Sequence, residues 1–435
     1  MKKYYRNITH FNFIITSLVL LIYASIRFLI VFLKPFPKGD EASFLSVFKI
    51  YIGDGFYRAN VVGNSTPFNS LAYLFYKITA NELISLRLTS LFFGIATLIV
   101  VWFFYKKYFA IPFNYRLMAF ITAANTLIIM SWIFVGIDDV ILAFFTVLFF
   151  MVLFKLKEGQ KQNNYLYLFI GVILALMLST REMSILFFPS VIIVLLSLGY
   201  LKKCSLKTTL KNSGLIISSF IIILVAINLP SLLENKTLSF HQKPLNSTVV
   251  NWSQLQYLSA IGEEQGTLPF GKHFSVEQVA KYLKENGQNS LPKTLKESIF
   301  FDFNRTIREF FKDLVYEIKP FARLLGWCFI LNLMLFIWYL IKRKFILKNI
   351  LNQQIFLFSI IYISIICFII ISYVETRWFS NVLVLLPIVF AERIYKFKTT
   401  YNLSDNFDFF VINLQLLSLT FMSLPYLFKN LNLLF

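Results

Sequence analysis

The sequence has little of what a soluble enzyme is built from. Charged residues make up only 15% of it, against about 25% in an ordinary soluble domain, which excludes a soluble globular reading. Cysteine is scarce. Cys204, Cys328 and Cys367 lie in or beside apolar runs and suggest neither a disulfide framework nor a metal cluster. Histidine is equally scarce: His10, His241 and His273 are far apart, with no HExxH and no facial triad. The chain has no GxxxxGK[ST], no GxGxxG and no glycine-rich phosphate loop, so neither ATP nor a nucleotide cofactor is expected. Internal repeats and low-complexity tails are missing too.

What is present is apolar. Of 435 residues, 57% are hydrophobic and 51 are Phe, and the mean hydropathy is +0.68. A spanning helix needs about 20 mostly apolar residues. Runs that meet or approach this lie at 12–33 (interrupted by Arg27), 84–105, 117–137, 140–154, 165–180, 183–200, 212–233, 324–341, 355–374, 378–391 and 409–428. The expected fold is therefore an all-α polytopic membrane protein with about 11 transmembrane helices (range about 10–13). The first run is too long for a cleaved signal peptide, and Lys34-Pro35-Phe36-Pro37 follows it rather than a small-residue cleavage site.

The net charge of +20 would point to nucleic acid in a soluble protein. Here it reads as orientation. With the N-terminus in the cytoplasm, the cytoplasmic segments are 1–11, 106–116, 155–164, 201–211, 342–354 and 392–408. They hold 20 Lys/Arg against 4 Asp/Glu, whereas the outer segments hold 19 against 18. Short loops are where the positive-inside rule applies best. Clusters such as Lys342-Arg343-Lys344 then face anionic lipid, and nucleic acid is not an expected partner. The abundance of Phe, Ile, Asn and Lys fits an A+T-rich bacterial coding sequence, so the expected location is the bacterial inner membrane, multi-pass.

Two outer regions are long. Residues 34–83 form the first outer loop within an N-terminal transmembrane module, 1–233. Residues 234–323 form an extracytoplasmic subdomain, in which Val276, Val279, Ala280 and Leu283 fall at helical spacing. Residues 324–435 carry the last transmembrane helices.

The polar residues at the outer ends of helices are the candidates for chemistry. Asp40-Glu41 follows the first helix and precedes an apolar interfacial stretch, 42–52. A carboxylate there can deprotonate a hydroxyl or hold a divalent metal; the alternatives are loop solubility and Asp40 as a helix N-cap. Asp138-Asp139 opens the fourth helix, where acids also suit the helix dipole. Both acidic pairs fall on the same membrane face, and buried carboxylates are costly unless paired or used. Arg181-Glu182 and Glu375-Thr376-Arg377-Trp378 form outer turns, and Arg58 and Lys77 lie in the first loop. These four cations can neutralise a phosphate, while Arg181–Glu182 and Glu375–Arg377 can equally be internal salt bridges. Arg27 and Arg87, within apolar runs, are expected to snorkel or, for Arg87, to line the cavity.

These motifs in this order resemble the polytopic GT-C glycosyltransferases, in particular the protein O-mannosyltransferases and lipid A aminoarabinose transferases. The matching features are Gly39-Asp40-Glu41 and Ser85-Leu86-Arg87-Leu88-Thr89-Ser90. They continue with Gly136-Ile137-Asp138-Asp139, Thr376-Arg377-Trp378-Phe379 and Leu386-Pro387, over roughly residues 10–395. The resemblance implies a GT-C fold with a helical outer first loop and a polyprenyl-phosphate-linked sugar donor. It also implies transfer on the extracytoplasmic side, Asp40 as the catalytic carboxylate completed by Glu41, and Asp138 or Asp139 as the second acidic position. One departure stands out: Asn64-Ser65-Thr66-Pro67-Phe68-Asn69 occupies the place of the Lys-Pro-Pro motif of the aminoarabinose group.

The chemistry is coherent in itself. An acceptor hydroxyl, on a lipid, glycan or protein, needs one base, Asp40. The departing lipid phosphate needs positive charge, from Arg58, Lys77, Arg181 or Arg377. Direct displacement inverts the anomeric centre. A divalent metal at Asp40 and Glu41 is compatible, though two adjacent carboxylates fix no metal geometry. The competing readings are a lipid-linked oligosaccharide polymerase or ligase and a membrane transporter or flippase. Transporters place their polar residues at mid-depth rather than at one surface.

Overall fold

In the computed structural model, the described residues are 2–37, 39–130, 132–158, 163–202, 205–240, 249–269, 271–341, 353–369 and 374–431. The basic run Lys342-Arg343-Lys344 lies outside them, as do Lys38, Cys204 and His241. Every regular element among the described residues is a helix. The first nine are α1 (Lys2–Phe32), α2 (Glu41–Val62), α3 (Thr66–Thr79), α4 (Glu82–Tyr108), α5 (Phe113–Ile129), α6 (Asp139–Glu158), α7 (Asn164–Thr180), α8 (Phe188–Leu201) and α9 (Leu206–Glu234). Then come α10 (Trp252–Glu264), α11 (Val276–Asn286), α12 (Leu295–Phe301), α13 (Phe303–Leu325), α14 (Trp327–Ile341), α15 (Gln354–Ile369), α16 (Ser380–Leu383), α17 (Leu386–Thr400) and α18 (Asp405–Leu431).

Among the described residues, six helical stretches are long and apolar enough to cross a membrane: α1 from Asn7, α4, α6, Glu182–Leu201, α9 and α18. A seventh is added if the broken pair Thr376–Leu383 and Leu386–Thr400 is one span. The protein is thus an all-α polytopic membrane protein, with fewer full-length spans than the eleven apolar runs. The runs at 165–180, 324–341 and 355–374 fall on the shorter apolar helices α7, α14 and α15. The run at 117–137 is cut short because α5 ends at Ile129, and a separate single turn follows at Trp132–Phe134.

The chain divides into two compact units. The first comprises Met1–His241, Phe321–Ser359 and Phe379–Phe435. Its helices are joined by the devices expected in lipid, where small residues and interhelical hydrogen bonds replace hydrophobic drive. A Cβ on Gly171 of α7 would lie 2.0 Å from the Ser219 hydroxyl and 2.2 Å from the Ile216 carbonyl, so only glycine lets α9 approach this closely. Along α1 and α18 the polar side chains answer one another. The Asn12 amide donates to Asn413 at 2.6 Å, the Thr16 and Thr420 hydroxyls meet at 3.0 Å, and Arg27 donates to Asn430 at 2.8 Å. Arg27 is therefore tied to a partner inside the helix pair.

The second unit comprises Gln242–Pro320 and Ile360–Trp378. Its core holds Val250, Leu255, Leu258, Val279, Leu283 and Leu291. Reciprocal capping boxes, Asn251 with Gln254 and Ser275 with Gln278, start α10 and α11. The spacing of Val276, Val279, Ala280 and Leu283 is realised as α11, with Val279 and Leu283 buried.

Candidate active site

The site is built around one buried ion pair. Glu41 opens α2 with no exposed surface, and Arg87 on α4 is 1% exposed. Arg87 Nε donates to Glu41 Oε1 at 2.9 Å and its terminal nitrogen to Oε2 at 3.0 Å. The remaining guanidinium hydrogens reach the carbonyls of Val31 (2.5 Å), Lys34 (2.7 Å) and Phe36 (3.0 Å), where the chain leaves α1. Glu41 Oε1 also accepts the Gly136 N–H at 2.7 Å. A planar guanidinium with five donors suits this fork, and a buried charge is tolerable only when so fully engaged.

The Gly136 contact brings two loops together. A Cβ on Gly136 would sit 2.7 Å from that of Leu86, so the turn can press onto α4 only as glycine. Ser90, one turn beyond Arg87, donates to the Ile137 carbonyl at 2.9 Å. Two residues after Gly136 comes Asp138-Asp139, almost completely buried. Arg181, at the end of α7, hydrogen-bonds the Asp139 carboxylate and lies 3.7 Å from that of Asp138. Glu182 is exposed.

Asp40 is half-buried at the N-cap position of α2, and its side chain makes no capping hydrogen bond to that helix. The helix-cap alternative for this carboxylate is thereby answered. The structure thus joins Glu41, and with it the Asp40 loop, to the loop of Asp138, Asp139 and Arg181. Arg58 and Lys77 are exposed and form no ion pair with these acids; Lys77 lies over the Tyr73 ring, 4.8 Å from its centroid. Arg377 is in the second unit, paired with Glu375 at 2.5 Å. Arg87 neither snorkels nor lines a cavity, because all its donors are taken up by Glu41 and carbonyls.

A second feature was not anticipated from the residues. The stretch in the place of the Lys-Pro-Pro motif is buried and bonded to the end of α9 and the chain beyond it. The Asn64 N–H donates to Ser239 at 2.9 Å, and Asn69 donates to Asn64. Asn60 donates to the Ile227 carbonyl at 3.1 Å and accepts from the Ser231 N–H at 3.1 Å. The signal for it was the density of Asn in an apolar chain, where each buried amide needs partners.

No group of three or more His, Cys, Asp or Glu among the described residues is arranged to hold a metal ion. At the first acidic pair the reason is visible: Arg87 and the Gly136 N–H already take up both Glu41 oxygens.

Residues 67–228 match the family described as dolichyl-phosphate-mannose-protein mannosyltransferase, within the wider group of GT-C-related glycosyltransferases. The matched stretch carries Arg87, Asp138, Asp139 and Arg181 but begins after Asp40 and Glu41, and it covers less than half of the chain. No curated protein matches the chain. No solved structure matches it either.

Proposed function

We propose that this protein is an inverting glycosyltransferase of the extracytoplasmic membrane face. It moves a single sugar from a polyprenyl-phosphate donor to a hydroxyl on a lipid, glycan or protein. The observation that carries the reading is the Glu41–Arg87 pair with its Gly136 contact, which fastens the loop of Asp40 to the loop of Asp138 and Asp139. The partial match to mannosyltransferases over residues 67–228 supports the reaction class.

In this reading Asp40 takes the proton of the acceptor hydroxyl as its oxygen attacks the anomeric carbon, and the bond to the lipid phosphate breaks with its electron pair on the phosphate oxygen. Glu41 touches no reacting atom. It is a positioning residue, which with Arg87 fixes where α2 begins and hence where Asp40 stands. Arg181 orders the second acidic pair. The reading routes no step through a divalent metal: Arg87 and the Gly136 N–H compete for both Glu41 oxygens.

The test compares membranes of a gene-deleted strain complemented with the normal chain or with Asp40→Asn. Mass spectrometry of their glycolipids and glycoproteins should show a single-sugar increment restored by the first and missing with the second, at equal membrane levels of both proteins. With purified protein, loss of the base is expected to cost about 10²- to 10⁴-fold in transfer. Near-normal transfer by Asp40→Asn would sink the assignment. An unchanged glycan inventory, with a lipid donor stranded on the cytoplasmic side, would replace it with a flippase.

A further inference from the structure

Helix α13 is inside out. A helix in water buries its apolar stripe and shows its charged one. In α13 the acids Glu309, Asp313 and Glu317, four residues apart, are all at most 1% exposed. The apolar residues Phe311, Val315 and Ile318 are 58%, 66% and 46% exposed. At 100° per residue these three share one face, and Ile307 and Leu314 flank it. Between the apolar and acidic faces runs a basic stripe: Arg305, Arg308, Lys312 and Lys319, at intervals of three, four and seven residues, fall on one edge of the helix. Arg305 and Lys312 lean toward the acids: Arg305 Nη2 is 2.7 Å from Glu264, and Lys312 is 3.1 Å from Glu309 and 3.5 Å from Glu263. Arg308 stands 3.6 Å from Glu264 at the rim, with 65% of its side chain exposed, and Lys319 is exposed. Phe300 and Phe303, just before and at the start of α13, are exposed as well, and after α13 the chain passes through Gly326 directly into the apolar helix α14.

We propose that α13 is an interfacial helix. Its Phe311–Val315–Ile318 face lies in the acyl-chain boundary of the bilayer, and Arg308 and Lys319 reach the phosphates of anionic lipid headgroups. Three properties choose lipid over a protein partner. The apolar face is edged by cations along the helix axis, matching an anionic headgroup layer met by an amphipathic helix lying in its plane. Lysine and arginine stems suit that depth, because they run along apolar surface while the charge stays at the phosphates. The charged face that water would have solvated is instead packed inside the protein. The helix is therefore a membrane contact that hydropathy misses, since its acids and bases mask the apolar stripe in any window average.

The test uses the full chain in nanodiscs holding one protein each. Nitroxide labels are placed at Phe311→Cys, Val315→Cys or Ile318→Cys, with Cys204, Cys328 and Cys367 replaced by Ala. Power-saturation resonance should show all three labels colliding more with oxygen than with a water-soluble nickel chelate. A label at the exposed Lys281→Cys should show the reverse. Nickel-dominated collisions at 311, 315 and 318 would overturn the proposal. So would dipolar broadening that appears only with two proteins per disc, which would assign the face to a second copy. If the cysteine-free background fails to fold, Val315→Trp in the native-cysteine chain is tested for added fluorescence quenching by brominated lipid, and no added quenching would equally overturn it. Exchanging phosphatidylglycerol for phosphatidylcholine should make the labels shallower, and Arg308→Glu with Lys319→Glu should abolish that response. A depth indifferent to anionic lipid would overturn the role of the basic stripe.

Discussion

Glu41 in the first unit and Asp313 in the second are equally hidden from solvent, yet their surroundings could hardly differ more. Glu41 meets a guanidinium in a two-pronged contact and a backbone N–H besides. No side chain among the described residues hydrogen-bonds Asp313, and the charged groups nearest it are Glu309, Glu317 and Lys312. Burial, reinforced by Glu309 and Glu317 and opposed by Lys312 and the Val374 backbone, raises the Asp313 carboxyl to about 8. Burial raises Glu317 to about 7, with the Thr376 hydroxyl pulling the other way. The first arrangement surrounds a buried carboxylate with an opposite charge and a fixed backbone donor. The second removes the charge by holding a proton. Rigidity suits a residue that aims a neighbour at a substrate, and proton retention makes the second unit responsive to pH.

The largest effect that can break this comparison is on the Glu41–Arg87 pair. Arg87→Met leaves Glu41 buried and uncompensated, which is expected to cost about 3–5 kcal/mol. It should register as a large fall in the unfolding midpoint of detergent-solubilised protein. Arg87→Met with Glu41→Leu removes both charges and should recover much of that loss without recovering transfer. A single mutant as stable as the parent would show that the pair does not anchor the start of α2. A double mutant with full transfer would show that Asp40 needs no such positioning.

The polytopic class was legible from composition alone. The two acidic pairs stood out by residue type, but what relates them is the contact of Glu41 with the Gly136 N–H, which no count of helices carries, since the run at 117–137 is not a full span. The pairing of Arg87 with Glu41 is only half legible in the sequence. An arginine in an apolar run must find a partner or reach the interface, and only the approach of α4 to the start of α2 decides which. The Gly136 turn was not legible, since one glycine in an apolar run carries no sign that a neighbouring helix lies 2.7 Å from where its Cβ would be. Arg181 has Glu182 as its neighbour in sequence, whereas the fold turns it to Asp139. The character of α13 was hidden for a related reason. Periodicity reveals an amphipathic stripe, but not which side of it faces in.

The next effect separates the two ways of burying an acid by pH. Asp313 and Glu317 keep their protons in the folded protein at pH values where the unfolded chain, with carboxyls near about 4, has lost them. Stability should therefore fall as pH rises from about 4 through 7 and 8 and level off above, by up to about 1.4 kcal/mol per pH unit for each group. Glu309 and Lys312 on the same helix, and Cys367 on α15, share this environment. Thermal midpoints of Asp313→Asn and of Glu317→Gln between pH 5 and 9 should show a flatter slope than the parent. A parent slope that these substitutions leave unchanged would place the titration elsewhere.

The smallest effect in stability is also the most informative about the donor. Arg87 and Arg181 are bonded to carboxylates, so in the proposed reaction the departing lipid phosphate would first draw on cations that are not. Arg58 and Lys77 are exposed and form no ion pair with the site's acids. Replacing either with Ala is expected to leave the unfolding midpoint where it was. If one of them meets the donor phosphate, its loss should raise KM for the donor by about tenfold, as for one charge-assisted hydrogen bond, with kcat nearly unchanged. An unchanged KM in both variants would return the phosphate to the paired cations, of which Arg181 is bonded to Asp139 and Arg377 to Glu375; Arg181 is the one among the site's acids. In that case Arg181 must exchange Asp139 for the phosphate during the reaction, and Arg181→Lys, which keeps the charge but loses the forked geometry, would then lower kcat rather than raise KM.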